Sequence, residues 1–277
     1  MPRSWSVTSS EVKHGAETPT HPPAEAFAAL RYPGDAGRTQ PALYCPYRTV
    51  QAIEGKWSYV EFLSRLLEDE VERRAQKQLQ LRLRRAALNT TKTLETFDFQ
   101  FNPTINRQQI LALAAGDYIR QHRNVLICGP TGVGKTHLAE ALGQEACRQG
   151  CHVLFTNINK MLQHLHGGRA DGSWERRLNV YLRPDLLILD DFGLKPLQPP
   201  SPEDLYDVIN ERYERGSILL TSNRAPAEWP DLFRDPLLAS AGLDRLLHRA
   251  EVVLIRGASF RAQGRKRLEQ EVLLEQE

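Results

Sequence analysis

From residue 124 onward the chain alternates short apolar runs with longer stretches of helical period. The apolar runs are Asn124–Cys128, His152–Phe155, Leu186–Leu189, Ser217–Thr221 and Glu251–Ile255. Runs of four or five residues without internal alternation predict strands buried on both faces. Between and after them, Lys135–Gln149, Asn159–His166, Trp174–Tyr181, Glu203–Arg215 and Pro236–His248 repeat apolar positions at helical spacing. Strands separated by helices imply a parallel five-stranded sheet sandwiched between helices, an α/β class domain. Upstream, Gln108–Gln121 predicts one more helix, and Thr96-Phe-Asp-Phe-Gln-Phe101 reads as a linker.

A long helix is predicted from Ser58 to about Ala87. Its acidic residues come first (Glu61, Glu68, Asp69, Glu70, Glu72), which suits the helix dipole, and Arg73 to Lys92 contains no acid at all. At 100° per residue, Arg73, Lys77 and Arg84 fall on one line with Arg74 and Arg85 beside it, opposite Ala75, Leu79, Leu83 and Ala86. Residues 1–55 are rich in Pro, Thr, Ser, Ala and Gly and show no sustained period, so they are expected to be a disordered extension. The expected organisation is therefore 1–55 extension, 56–95 helical region with a basic face, and 96–277 α/β domain, with no internal repeat.

The first strand runs directly into Gly129, Pro130, Thr131, Gly132, Val133, Gly134, Lys135 and Thr136, which fill every fixed position of the pattern G-x-x-x-x-G-K-[ST]. Strand, glycine loop and helix is the context of a phosphate-binding P-loop. The glycines let backbone N–H groups turn inward around phosphates, and the following helix adds its positive dipole end. Lys135 is expected to reach the β- and γ-phosphates of ATP, and the Thr136 hydroxyl to ligate Mg²⁺. Leu186-Leu-Ile-Leu-Asp190-Asp191 is a strand ending in two carboxylates. Asp190 is expected to hold the Mg²⁺ shell, and Asp191 to orient or deprotonate the attacking water. About fifty residues separate Lys135 from Asp190, which leaves room for helix, strand and helix and places the acids on the third strand. The next strand ends at Asn223, a polar tip suited to holding water against the γ-phosphate.

With 41% hydrophobic and 25% charged residues, the chain of 277 residues reads as an ordinary globular protein. A net charge of +2 says little about partners, because the placement of charge decides nucleic-acid binding. No apolar run approaches the ~20 residues that cross a bilayer, and no signal core is evident, so a cytoplasmic location with reduced thiols is expected. Cys45, Cys128, Cys147 and Cys151 form no C-x-x-C unit. Cys147, Cys151 and His152 would make half a metal site, but no second half follows.

The strings Asn124-Val-Leu-Ile-Cys-Gly-Pro-Thr-Gly-Val-Gly-Lys-Thr-His-Leu-Ala139, Asp185-Leu-Leu-Ile-Leu-Asp-Asp-Phe-Gly193 and Ile209-Asn-Glu-Arg-Tyr-Glu-Arg215 resemble IstB-like ATPases, the helpers of bacterial insertion-sequence transposition. So do Thr221-Ser-Asn-Arg224 with Glu228-Trp229, Leu243-Asp-Arg-Leu-Leu-His248 and Gly257-Ala-Ser-Phe-Arg261. The resemblance covers roughly Ser58 to Arg261 and implies an AAA+ type P-loop fold related to DnaC-type helicase loaders and DnaA. It implies that Asn223 senses the γ-phosphate and that Arg245 is an arginine finger given to a neighbouring subunit's nucleotide. Arg261 would be a second sensor on the phosphates of its own chain. A finger supplied in trans implies a ring or helical homo-oligomer. Three features depart from the pattern: Asp191 stands where many relatives carry Glu, only one helical tail follows the fifth strand instead of a lid domain, and residues 1–55 do not resemble the family's N-terminal helices.

The resemblance also implies DNA as a partner, read through its backbone and not its sequence. Candidate contacts are Lys160, Arg169, Arg176 and Arg177 between the second and third strands, the basic face Arg73, Arg74, Lys77, Arg84 and Arg85, and the tail cluster Arg265-Lys-Arg267. The leading expectation is an ATPase, slow and DNA-stimulated, that oligomerises on DNA and recruits a partner transposase in the bacterial cytoplasm. The alternatives are a DnaC-like replicative helicase loader and a metabolic P-loop kinase, the last of which has no use for Arg245.

Overall fold

In the computed structural model, residues 44–233, 235–260 and 262 are described. The elements are α1 (Tyr44–Glu54), α2 (Tyr59–Ala86), α3 (Arg107–Ala114), α4 (Asp117–Arg120), β1 (Val125–Cys128), α5 (Lys135–Arg148), β2 (Val153–Asn157), α6 (Ile158–Asp171), α7 (Trp174–Leu182), β3 (Leu186–Phe192), α8 (Ser201–Arg212), β4 (Ser217–Ser222), α9 (Pro236–Leu247) and β5 (Glu251–Leu254). The five strands form one sheet in the order β2-β3-β4-β1-β5, every pair parallel. Strand β4 thus lies between β1 and β3, although the chain reaches it last of the three.

Alternate residues of β1, β3 and β4 feed opposite cores, as the pleat requires, whereas the edge strand β5 buries only Val253 and exposes Val252 and Leu254, which corrects the expectation that it is covered on both faces. Leu126, Cys128, Leu187, Leu189, Ile218 and Leu220 pack with α6, α7, α8 and α9. Val125, Ile127, Leu186, Ile188, Leu219 and Val253 pack with α3 and α5. Each fully buried Leu or Ile contributes about 1.5–3 kcal/mol. Strands β1, β3 and β4 are therefore continuous hydrophobic runs because both faces are covered.

The chain divides into two compact units between Arg74 and Ala75. That cut falls inside α2 and differs from the boundary expected at 95/96. Its physical reason is that Leu79, Leu83, Ala86 and Leu88 join the core on the α5 side of the sheet, with Ala86 completely buried. The following loop is stapled to α5: Glu140 accepts from the Asn89 amide at 2.7 Å and from Lys92 Nζ at 2.6 Å, and Gln144 Nε2 donates to the Asn89 and Lys92 carbonyls. In the first unit, Tyr44–Glu54 is helical, which corrects the expectation of disorder throughout 1–55. Arg48 forms a two-pronged ion pair with Asp69 at 2.7 Å, so α1 has a fixed partner in α2. Residues 1–43 lie outside the described residues.

Two further boundaries move. The single helix expected over Gln108–Gln121 is split at Gly116, whose φ of +77° breaks it into α3 and α4. Strand β3 continues through both acids to Phe192, because β4 pairs with it that far. At the amino-terminal ends of β3 and β4, the buried Arg212 donates to five carbonyls, of Tyr181, Leu182, Pro184, Asp185 and Ser217. Arg212→Ala removes every one of these bonds. It is expected to lower the unfolding free energy by at least about 3 kcal/mol, as read from the midpoint of urea denaturation.

Candidate nucleotide site

Strand β1 ends at Cys128 and releases the loop that enters α5 at Lys135. Gly132 and Gly134 sit at φ +84° and +98°, a region that side-chain-bearing residues avoid. Space forbids a side chain as well: a Cβ on Gly132 would lie 2.1 Å from Ser259 Oγ, and one on Gly134 2.7 Å from the Phe97 ring. The buried Lys135 ammonium donates to the Gly129 and Pro130 carbonyls at 2.8 Å and to Asn223 Oδ1 at 2.5 Å. Because β4 separates β1 from β3, Asn223 at its tip lies between the P-loop and the two acids.

The Thr136 hydroxyl donates to Asp190, 3.0 and 3.1 Å from its two oxygens. Asp190 also accepts from the Thr221 hydroxyl. A hydroxyl oxygen and one buried carboxylate side by side are hard oxygen donors, and they fit Mg²⁺ completed by phosphate oxygens and water. Among the described residues no group of three His, Cys, Asp or Glu converges into a metal site of its own. Asp191 has φ +64°, which turns its carboxylate away from that of Asp190. Its amide donates to Thr221 Oγ1 at 3.1 Å, and its Oδ2 accepts from Asn157 Nδ2 at 3.0 Å. Asn157 Oδ1 in turn caps α6 by accepting from the Asn159 amide.

Beside the loop lies a cavity of about 340 Å³, lined by Thr131 to His137, Asp191 and Asn223 and also by Lys92, Thr96, Phe97, Asp98, Phe101, Asn102 and Phe260. The segment expected to be a linker is therefore one wall of the site. Phe101 meets Phe260 edge to face at 4.9 Å, and Phe97 meets Phe99 and His137 the same way. Asp98 Oδ1 accepts from the amides of Gln100 and Phe101 and holds the turn that presents these rings. The alternation of Phe97, Phe99 and Phe101 was the available signal. On the other wall, the Phe260 amide donates to the Gly132 carbonyl, so the segment after β5 closes over the P-loop.

Arg245 lies elsewhere. It projects from α9 into a cleft with Asn124, Gly216, Ile218, His248 and Arg249, at the amino-terminal ends of β1 and β4. The P-loop is at the opposite, carboxyl-terminal end, a strand length away, roughly 13 Å. The Arg245 guanidinium donates to the Ala241 carbonyl and lies 5.5 Å from the Tyr206 ring centre. Arg261 and the cluster 265–267 lie outside the described residues.

Of the basic residues between β2 and β3, Lys160 and Arg176 are exposed. Arg169, also exposed, and the half-buried Arg177 are engaged by other groups of the protein. Arg169 forms a salt bridge with the fully buried Asp204 at 2.6 Å and stacks over Trp174, while Arg177 donates to the His164 carbonyl, Ser173 and Asp171. Arg73 and Arg74 both pair with Glu70, whose carboxyl they hold down at about 2. Lys77, Arg84 and Arg85 are exposed. Burial pushes the Cys128 and Cys147 thiols up to about 11, so both pack as neutral, apolar groups.

A family model described as IstB-like ATP binding protein matches residues 42–268. An insertion-sequence ATP-binding protein of Mycobacterium tuberculosis is 41% identical over 79% of this chain and 87% of its own length. The ATP-binding protein of insertion sequence IS21 from Pseudomonas aeruginosa is 39% identical over 78% of this chain and 82% of its own. Among solved structures, the replication initiator DnaA bound to AMPPCP and single-stranded DNA superposes with a TM-score of 0.51 at 26% identity, over 62% of this chain and 52% of that one. The DnaC helicase loader superposes with a TM-score of 0.53 at 22% identity, over 60% of this chain and 97% of that one, a likeness of fold. No helix among the described residues is long and apolar enough to cross a membrane.

Phe101→Ala opens the aromatic wall without touching the P-loop. It is expected to weaken binding of a fluorescent ATP analogue about tenfold, the scale of one lost aromatic–base stack, with the melting temperature little changed. Anisotropy titration checks this, and unaltered affinity would place the base elsewhere.

Proposed function

The chain belongs to the family of IstB-like ATP-binding proteins, and from that premise we propose that it is an ATP-dependent, DNA-binding regulator of insertion-sequence transposition. ATP lies with its phosphates in the P-loop and its base against Phe97, Phe101 and Phe260. Lys135 neutralises the β- and γ-phosphates, and Thr136 and Asp190 hold Mg²⁺, which offsets the charge of the phosphates. Asp191 orients the attacking water, and Asn223 contacts the γ-phosphate from the β4 tip. Arg261 would add a cation from the segment that follows Phe260.

The observation that carries this reading is the place of Arg245. It sits at the edge of the sheet opposite the P-loop, with no route to the phosphates of its own chain, yet a head-to-tail neighbour could receive it. Each nucleotide site is then completed by the next protomer, and ATP and self-association become interdependent. DNA stabilises the assembly by passing over the exposed Lys160 and Arg176, with Arg169 and Arg177 holding the helices that carry them; Lys77 and Arg84 are a second basic strip. Asn157 supports a link between the two functions, because one side chain caps the helix bearing Lys160 and holds the Asp191 carboxylate. The assembled, ATP-bound form recruits the partner transposase, and hydrolysis releases it. The insertion-sequence origin of the similar proteins supports this over helicase loading, and capture of a replicative helicase in place of a transposase would reverse that choice.

Two experiments test the reading. Lys135→Ala is expected to lose ATP binding, and Arg245→Ala to keep it while losing DNA-stimulated hydrolysis. Mixing the two inactive variants should restore a measurable fraction of the rate, because a Lys135→Ala protomer still donates its Arg245 to an intact neighbouring site. No recovery on mixing, or full hydrolysis by a monomeric Arg245→Ala variant, would refute a finger in trans. Asp191→Asn should retain ATP and Mg²⁺ yet reduce hydrolysis at least about a hundredfold, and it should prolong the DNA-bound state in a dissociation assay.

A further inference from the structure

Strand β4 carries a residue that touches both acids of the neighbouring strand and that no reading of the motifs assigned. Thr221 is completely buried, one position before the tip residue Ser222 and two before Asn223. Its hydroxyl makes two bonds of opposite sense. As donor, Oγ1 gives its proton to Asp190 Oδ1. As acceptor, it receives the amide of Asp191 at 3.1 Å. The second bond falls at the one residue of β3 with a left-handed backbone, φ +64°. A non-glycine residue in that region carries a conformational cost, and its amide no longer points along the ladder, as the register shift between Leu189 and Phe192 records. A hydroxyl on the adjacent strand accepts from that amide.

We propose that Thr221 is a positioning residue for ATP hydrolysis: its single hydroxyl fixes the Asp190 carboxylate and the backbone of Asp191 together. This rests on the assignment of those acids to Mg²⁺ and to the attacking water. The argument is one of geometry. With one proton committed to Asp190, the oxygen must face the Asp191 amide with a lone pair, so one hydroxyl ties the Asp190 carboxylate to the backbone from which Asp191 projects, while Asn157 Nδ2 holds the Asp191 carboxylate itself. The other hydroxyl bonded to Asp190 belongs to Thr136, the group suited to bind the cation itself. When Thr136 turns its lone pairs to the cation, the Thr221 bond is the one that keeps Asp190 in place. Valine has the same shape as threonine but neither donor nor acceptor, so it leaves the packing and removes both bonds.

The test compares Thr221→Val and Thr221→Ser in the full chain with DNA present. For Thr221→Val, the expected result is unchanged affinity for a fluorescent ATP analogue without metal, a kcat lowered by roughly tenfold to a hundredfold, and a Mg²⁺ midpoint for tightened analogue binding raised about tenfold. Thr221→Ser keeps the hydroxyl and should restore both readouts. A valine variant with the wild-type kcat and Mg²⁺ midpoint overturns the proposal. So does a serine variant as impaired as the valine one, since the methyl group and not the hydroxyl would then matter. If the valine variant does not fold, Thr221→Cys takes its place, because a thiol is a weak donor and acceptor of similar size. Asp191→Asn is the control: if it hydrolyses ATP normally the assignment of the acids has failed, whereas its loss beside an active valine variant defeats the role of Thr221 alone.

Discussion

The insertion of β4 between β1 and β3 is the constraint from which the site follows. Parallel pairing aligns the carboxyl-terminal tips of neighbouring strands, so whatever follows β1, β4 and β3 must converge on one edge of the sheet. At that edge the P-loop, Asn223 and the acid pair come from segments far apart in the chain. Their spacing is set by the ladder, about 4.8 Å per strand, and not by flexible loops. Side chains then lock the tips: Ser222 Oγ donates to the Phe192 carbonyl, Arg224 Nε to the Gly193 carbonyl, and the buried Trp229 stacks edge to face on Phe192. A rigid edge of this kind lets small changes at a phosphate be felt by several groups together.

The same logic explains how residues upstream of the α/β core become part of its site. The loop after α2 packs Leu88, Leu94, Phe97 and Phe99 against the core, and Glu140, Gln144 and His137 of the P-loop helix hold its backbone. It descends on the P-loop and delivers Phe97 within reach of Gly134 and Phe101 against Phe260. Asn102, itself buried, donates to the Arg256 carbonyl at 2.6 Å and ties this segment to the chain after β5. The cavity is thus closed by parts of the chain from before β1 and after β5, and its aromatic lining suits a base as well as the loop suits phosphates.

Charge is distributed by the same economy of partners. Arginines that a sequence presents as a basic cluster have separate fates once acids are brought near. Arg169 is drawn to the fully buried Asp204, Arg177 to Asp171 and a backbone carbonyl, and Arg73 and Arg74 to Glu70, although Arg74 and Arg169 remain exposed, while Lys160, Arg176, Lys77 and Arg84 are exposed as well. Arg245 faces a cleft with Arg249 and His248 at the far end of the sheet.

Local chemistry alone determined a good deal of this protein. The unbroken apolar runs announced the strands, the glycine loop between strand and helix announced a P-loop of an ATP-binding family, and the apolar run before Asp190 and Asp191 announced the strand that carries both acids. Each of these is a short-range pattern whose physics is contained in a few consecutive residues. The tertiary structure decided what depends on partners distant in the chain. It placed Phe97, Phe101 and Phe260 around one cavity, and the hydroxyl of Thr221 between the Asp190 carboxylate and the Asp191 amide. It carried the boundary of the α/β unit back into α2, and it set Arg245 a strand's length from the phosphates of its own chain. A side chain's role in those cases depends on which strand lies beside it, and that neighbour is chosen by the burial of the whole sheet, which no local window of sequence contains.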